Sequence, residues 1–321
     1  MPVTEELLKS ASEADVSLVI IGRTAGEDQD NSDTEGSYRL QKEEENLIKS
    51  ITEVSRRTVV LINSGNIIDM SWVNRYHPQG VLYVWQGGQE GGNGVADILI
   101  GRQSPSGKLT DTIAEKITDY PSTENFGEER ENIYKEDIFV GYRYFETFSK
   151  DKVLYPFGYG LSYTSFSITS KITDVNEKQV HVCAKVKNVG NVAGKEVVQV
   201  YISAPQGVLG KPKRQLVGFA KTKLLSPEEN QEMELVIDKY MIASYDEVGI
   251  TGNKSCYVLE AGTYELYAGN DVRSAGLVGS FDEKYRILYQ LQPVCVPKKK
   301  FPVLYAQTDE NGKLHLFLSS S

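Results

Sequence analysis

Apolar residues follow two different rhythms along the chain. In the first part they form short solid runs separated by stretches of helical period. Thr4-Glu5-Glu6-Leu7-Leu8 reads as a capped helical start, and the apolar run 16–21, closed by Gly22, as a strand buried on both faces. Leu40, Leu47, Ile48, Ile51 and Val54 then share one face of a 3.6-residue period, which predicts a helix. Residues 58–63 predict a second buried strand, 67–75 a second helix, 80–85 a third strand and 91–100 a further helix. Strands alternating with helices predict a parallel sheet joined by right-handed crossovers.

After about residue 151 the rhythm becomes alternation. Val180, Val182, Ala184 and Val186 alternate with polar neighbours, and so do Val198, Val200 and Ile202. Met233, Leu235 and Ile237 repeat the pattern, as do Tyr264, Leu266 and Ala268. Asn188-Val189-Gly190, Ser226-Pro227 and Ala261-Gly262 supply turns between them. This predicts a β-sandwich of roughly a hundred residues. The expected organisation is an α/β domain over 1–150, a β-sandwich over 151–284 and a linker or tail over 285–321.

Composition narrows the function classes. The 321 residues carry 35 Lys and Arg against 44 Asp and Glu, a net charge of −9, which argues against a nucleic-acid partner. No apolar run approaches the ~20 residues of a membrane span, so no membrane partner is expected. Met1-Pro2-Val3-Thr4-Glu5-Glu6 lacks the basic and apolar regions of a signal peptide. Cys183, Cys256 and Cys295 are an odd set without metal-ligand spacing, and His77, His181 and His315 are far apart. The expectation is a cytoplasmic protein with no disulfide framework, metal or other cofactor.

In an open parallel sheet, ligands sit beyond the carboxyl ends of the strands, which singles out loops 22–31, 63–66 and 85–94. The glycines of the third loop could cradle a phosphate, yet both phosphate-binding glycine patterns are missing, which favours tight turns. The first loop opens the most acidic stretch of the chain. Glu43, Glu44 and Glu45 suit a solvated helix start. Glu27 follows Gly26 just beyond a strand end, where a side chain can face a cleft; a catalytic carboxylate and a solvated loop residue are both open readings. Glu27, Asp28 and Asp30 lack the spacing of a calcium loop.

The motifs around these loops carry a resemblance. They are 22–31, Val59-Val60-Leu61-Ile62-Asn63-Ser64-Gly65-Asn66, 85–94 with Ala96-Asp97-Ile98-Leu99, and Pro105-Ser106-Gly107-Lys108-Leu109. They continue through Tyr134-Lys135-Glu136-Asp137-Ile138-Phe139-Val140-Gly141-Tyr142-Arg143-Tyr144-Phe145 and Pro156-Phe157-Gly158-Tyr159-Gly160-Leu161-Ser162-Tyr163-Thr164. In this order they resemble the C-terminal half of glycoside hydrolase family 3 β-glucosidases over nearly the whole chain. Lys187-Asn188-Val189-Gly190 and Gly194-Lys195-Glu196-Val197 resemble that family's fibronectin type III-like domain. The resemblance implies an α/β sandwich domain, a mostly parallel sheet with helices on both faces, followed by an all-β fibronectin type III-like sandwich.

It also implies chemistry. Family members hydrolyse terminal β-linked glucosides with retention, using an Asp nucleophile on a TIM barrel and an acid/base Glu on the α/β domain. The acid/base loop matches Gly26-Glu27-Asp28-Gln29-Asp30-Asn31, which makes Glu27 the acid/base residue. Asp28 stands where Gly is common and Asn31 where Arg is common; an added acid and a lost cation both favour the protonated form of Glu27. The sequence holds no barrel. The expected partners are therefore a β-glucoside substrate and a TIM-barrel domain or subunit carrying the nucleophile, without which the chain is inactive.

The family's α/β domain has more chain before the strand at 16–21, so this domain is expected to be N-terminally incomplete with that strand beside an exposed edge. Gln292-Pro293-Val294-Cys295-Val296-Pro297 resembles the link in members whose barrel comes last, which points to a fragment of a larger enzyme. The alternative is a non-catalytic carbohydrate-binding or structural module. Tyr142, Tyr144 and Phe145 read as a buried anchoring cluster, and Trp85 as packing at a strand end.

Overall fold

The computed structural model describes residues 2–23, 31–127, 130–296 and 299–319. The chain divides into two compact units, Met1–Gln103 with Ile113–Thr123, and Ser104–Thr112 with Glu124–Ser321. The first is α/β. Helix α1 (Glu5–Glu13) starts where the Thr4 hydroxyl accepts from the Leu7 amide. Strand β1 (Ser17–Gly22), helix α2 (Lys42–Val54), β2 (Thr58–Asn63), α3 (Ser71–Tyr76), β3 (Gly80–Tyr83) and α4 (Gly91–Leu99) follow, with the two-residue β4 (Ile113–Ala114) last. The three long strands lie parallel in the order β1-β2-β3, as the alternation of strands and helices predicts. Ile48 and Ile51 of α2 are buried, and α2 contacts α1, α3, β1 and β2.

The β1 run does not behave as expected. Val19 and Ile21 are buried, but Leu18 and Ile20 are 50% and 65% exposed. β1 is the edge of its sheet, and only the face turned to Val19 and Ile21 is covered. β2, the central strand, buries Val60, Leu61 and Ile62 in succession. A solid apolar run therefore marks burial on both faces in β2 and on one face in β1.

The second unit is mostly β. Helix α5 (Tyr142–Phe148) and strand β5 (Val153–Tyr155) precede β6 (Phe166–Val175), β7 (Gln179–Asn188), β8 (Val197–Ser203), β9 (Gln215–Lys221) and β10 (Asn230–Asp238). Then come β11 (Ser244–Asp246), β12 (Cys256–Leu259), β13 (Gly262–Gly269), β14 (Gly276–Glu283) and β15 (Arg286–Gln290). A sheet of order β10-β7-β6 packs against one of order β14-β13-β8-β9, which is the expected sandwich. The alternating residues make its core: Val180, Val182, Ala184 and Val186 meet Val198, Val200 and Ile202, with Leu235, Ile237, Tyr264 and Leu266 closing it.

Two devices fix this unit. Asn188, wholly buried, donates to the Val192 and Leu225 carbonyls at 2.8 and 2.9 Å and accepts from the Thr164 hydroxyl at 2.7 Å. β8 is buried on both faces because residues preceding the sandwich cover its outer side. Tyr142 stacks on Phe157 at 4.4 Å and its hydroxyl accepts from the Leu216 amide, while buried Gln199 donates to the Gly158 carbonyl. Gly158, at φ +83°, has no space for a Cβ, which would meet the Gln199 side chain at 2.2 Å. Phe145 is fully buried beside Tyr144.

The stretch read as a linker or tail is partly regular. β15 pairs with β12, and β16 (Leu304–Thr308) with β17 (Leu314–Leu318) forms a hairpin whose Leu304 and Ala306 pack with Phe139.

Candidate active-site loops

Three loops leave the carboxyl ends of the parallel strands, and the structure fixes the flanks of the first. Beyond β1 the Arg23 amide donates to the Asn63 carbonyl at 3.0 Å, which continues the β1–β2 ladder by one residue. The Arg23 guanidinium then grips the Glu44 carboxylate with two hydrogen bonds, at 2.7 and 2.8 Å, and also reaches the Ser37 carbonyl at 3.1 Å. Glu44 accepts from the Gln41 amide at 2.8 Å as well, so one carboxylate both starts α2 and holds Arg23.

Read from sequence, Glu44 is a solvated residue near a helix N-terminus; in the fold it is largely buried. The signal that finds it is Gln41-Lys42-Glu43-Glu44, a capping spacing at the head of an apolar-periodic segment. Its partner Arg23 carries no sequence signal, because the pair closes a loop of about twenty residues.

Where the loop returns, the Asn31 side chain donates to the Ile67 carbonyl at 2.8 Å, and the Asn66 side-chain amide donates to Asn31 Oδ1 at 3.4 Å. Asn31 thus joins the first loop to the second. In that second loop, the buried Ser64 hydroxyl donates to the Asn66 carbonyl at 2.8 Å and accepts from the Asn66 amide. Asn66 also receives the Tyr83 hydroxyl on its carbonyl. Glu27, with the rest of 24–30, lies outside the described residues.

The third loop is shaped by close backbone approach. Trp85 takes a left-handed φ of 57° and packs its ring against Tyr83 at 4.4 Å. A Cβ on Gly87 would come within 2.7 Å of the Gly91 Cα and Gly88 has a φ of +66°, so these two glycines serve the turn. Tyr38, which follows the first loop in the sequence, is buried, and among the described residues its hydroxyl has no hydrogen-bond partner. Burial, with Tyr120 and Asp69 nearby, raises its pKa far above the ordinary phenol, so Tyr38 stays neutral and is no base. Among the described residues no three His, Cys, Asp or Glu side chains gather as a metal set, and no helix is long and apolar enough to cross a membrane.

This chain belongs to glycoside hydrolase family 3: it matches the glycosyl hydrolase family 3 C-terminal domain over residues 2–163, followed by a fibronectin type III-like domain over 196–272. A β-glucosidase of Ruminococcus albus is 50% identical over 303 residues, 94% of this chain and 32% of that protein. β-Glucosidase A of Butyrivibrio fibrisolvens is 37% identical, matching 91% of this chain and 41% of its own length. The structure of a β-glucosidase from Paenibacillus barengoltzii has a TM-score of 0.94 at 47% identity, covering 99% of this chain and 36% of that one. The chain spans 32–41% of the length of these relatives.

Proposed function

We propose that this chain is the acid/base-bearing part of a retaining β-glucosidase acting on terminal β-linked glucosides. Glu27 protonates the leaving oxygen and then activates the water that releases glucose. The observation that carries this reading is the match to β-glucosidases across almost the whole chain, with Arg23 and Asn31 anchoring the two flanks of the Glu27 loop. Retaining hydrolysis needs two carboxyl groups ~5–5.5 Å apart. The nucleophile comes from a TIM-barrel domain or subunit outside this chain, so the chain alone turns over no substrate. A cytoplasmic location, as expected from the sequence, goes with this reading.

The test is Glu27→Gln in the complete enzyme, with two substrates. A glucoside with a poor leaving group loses ~10²–10⁴-fold in kcat/KM, because its departure needs a proton. Dinitrophenyl β-glucoside, whose leaving group needs none, still forms the glycosyl intermediate, and added azide restores its turnover. Equal losses on both substrates with no azide rescue would remove Glu27 from this role.

A further inference from the structure

The Arg23 guanidinium uses every one of its N–H groups inside the first unit. Two bonds go to the Glu44 carboxylate, and the others to the carbonyls of Ser37 at 3.1 Å, Gly22 at 2.9 Å and Arg39 at 3.3 Å. The Arg23 and Glu44 side chains are only 10 and 19% exposed. An ion pair so far out of water is a weak device for stability, because desolvation offsets most of the attraction. What the planar fork supplies is geometry: several directed bonds hold one group in one place.

The groups it holds lie on both limbs of one loop. Arg23 itself extends β1 through its amide bond to Asn63. On the returning limb, residues 32–39 form a compact turn. Within it the Ser32 amide donates to the Ser37 hydroxyl, the Tyr38 amide to the Ser32 carbonyl and the Gly36 amide to the Arg39 carbonyl. Arg23 grips that turn through Ser37 and Arg39, and the head of α2 through Glu44. The same limb is tied to the second loop, by Asn31 on the Ile67 carbonyl and by the Asp69 amide on the Tyr38 carbonyl at 2.8 Å.

Glu27 is the fourth residue after Arg23 and the fourth before Asn31. The chain that carries it therefore starts and finishes on fixed points. Glu44 balances the charge of Arg23, so the clamp offers the loop an anchor without a net charge. Placement matters for proton transfer, since a shift of ~1 Å in a reacting group can cost ~10²-fold in rate.

We propose that Arg23 is a positioning residue for the acid/base loop, clamped by Glu44 so that Glu27 reaches the leaving oxygen. This rests on the Glu27 reading of the previous section.

The test is made in the complete enzyme with Arg23→Met and Arg23→Lys, each alone and combined with Glu27→Gln. kcat/KM is measured on a glucoside with a poor leaving group and on dinitrophenyl β-glucoside, whose departure needs no proton. Arg23→Met is expected to lose ~10²-fold on the first substrate and at least tenfold less on the second. Arg23→Lys keeps the charge without the fork and falls between Arg23→Met and the parent. In the Glu27→Gln background, Arg23→Met adds little further loss on the first substrate, because no acid is left to misplace.

Equal losses on the two substrates overturn the proposal, as do full additivity with Glu27→Gln or parental rates in Arg23→Met. Circular dichroism melts report folding; where Arg23→Met does not fold, Arg23→Lys and Glu44→Gln carry the same comparison. Loss of fold in all three assigns the pair to stability alone and also overturns it. Glu27→Gln by itself keeps the two readings apart. If it discriminates between the substrates and the folded Arg23 variants do not, the clamp alone fails; if it does not discriminate, the Glu27 reading falls with it.

Discussion

β1 and β8 contain similar apolar residues and meet opposite fates. Ser17–Gly22 buries Val19 and Ile21 and leaves Leu18 and Ile20 to solvent, whereas Val197–Ser203 buries five consecutive residues, Val198 to Ile202. β8 owes its second covered face to chain supplied from elsewhere in its own unit, through Tyr142, Phe157 and Gly158. Among the described residues β1 has no such cover on its Leu18 face, and a groove of about 610 Å³, lined by β1 with Leu7 of α1 and Leu47 and Ile51 of α2, opens beside it. Apolar content alone does not decide burial; what packs on the second face does. Among the described residues the sandwich covers both faces of β8, and the parallel sheet leaves the Leu18 and Ile20 face of β1 exposed.

Three tests sharpen that contrast. The largest effect is expected in the sandwich at Lys211. Its ammonium pairs with the Glu260 carboxylate and donates to the Pro205 carbonyl at 3.0 Å, and both side chains are buried. Lys211→Met strands the carboxylate and costs about 3–5 kcal/mol in urea unfolding; adding Glu260→Leu recovers most of it. Unchanged stability in the single variant would mean the pair is solvated.

Next in size is Asp246. Burial raises the pKa of its carboxyl, but hydrogen bonds from the Thr251 hydroxyl and amide and from the Gly249 and Ile250 amides outweigh this and hold it below the usual carboxylate value. A depressed folded-state pKa stabilises above the unfolded value of ~3.9, and the contribution is lost as pH falls through the folded pKa. Asp246→Asn should cost about 1–3 kcal/mol at pH 7 and flatten the acid limb of the stability curve. A variant with the same acid limb as the parent assigns that limb to other groups.

The smallest change in folding energy, about 0.5 kcal/mol or less, is expected for Leu18→Lys with Ile20→Lys on the bare face. Their effect is on association. The parent chain should elute as oligomers or aggregate, and the lysines should shift it toward monomer in size-exclusion chromatography. A sharp monomer peak for the parent breaks the contrast with β8.

Much of this architecture was readable in the residues. The alternation from Val180 to Val186 and from Val198 to Ile202 placed strands and inward faces together, because a period of two allows one assignment once a core exists. Solid runs were less informative: 16–21 and 58–63 look alike, yet one lies at a sheet edge and the other at its centre. Side chains that meet across long loops left little trace. Arg23 with Glu44 is one case. Tyr245, Tyr257 and Tyr289 have no common spacing and come together only through strand register. Glu27 is legible only through motif resemblance, since a short acidic loop contains no period to read.

The segment that covers β8 has a further consequence, for how such proteins are rearranged. Lys108 bridges to Glu196 at 2.8 Å, Leu109 exchanges backbone hydrogen bonds with Gly158 and Tyr159, and Tyr142 holds the Leu216 amide. All of these residues belong to the sandwich unit, although the family 3 C-terminal domain match runs to residue 163. The inherited segment and the folding unit therefore end at different places. A breakpoint at 163 would strip β8 of its outer cover and leave Gln199 and Tyr201 facing water, so a transplanted sandwich is expected to keep its stability only together with residues 104–112 and 124–163 that dress it.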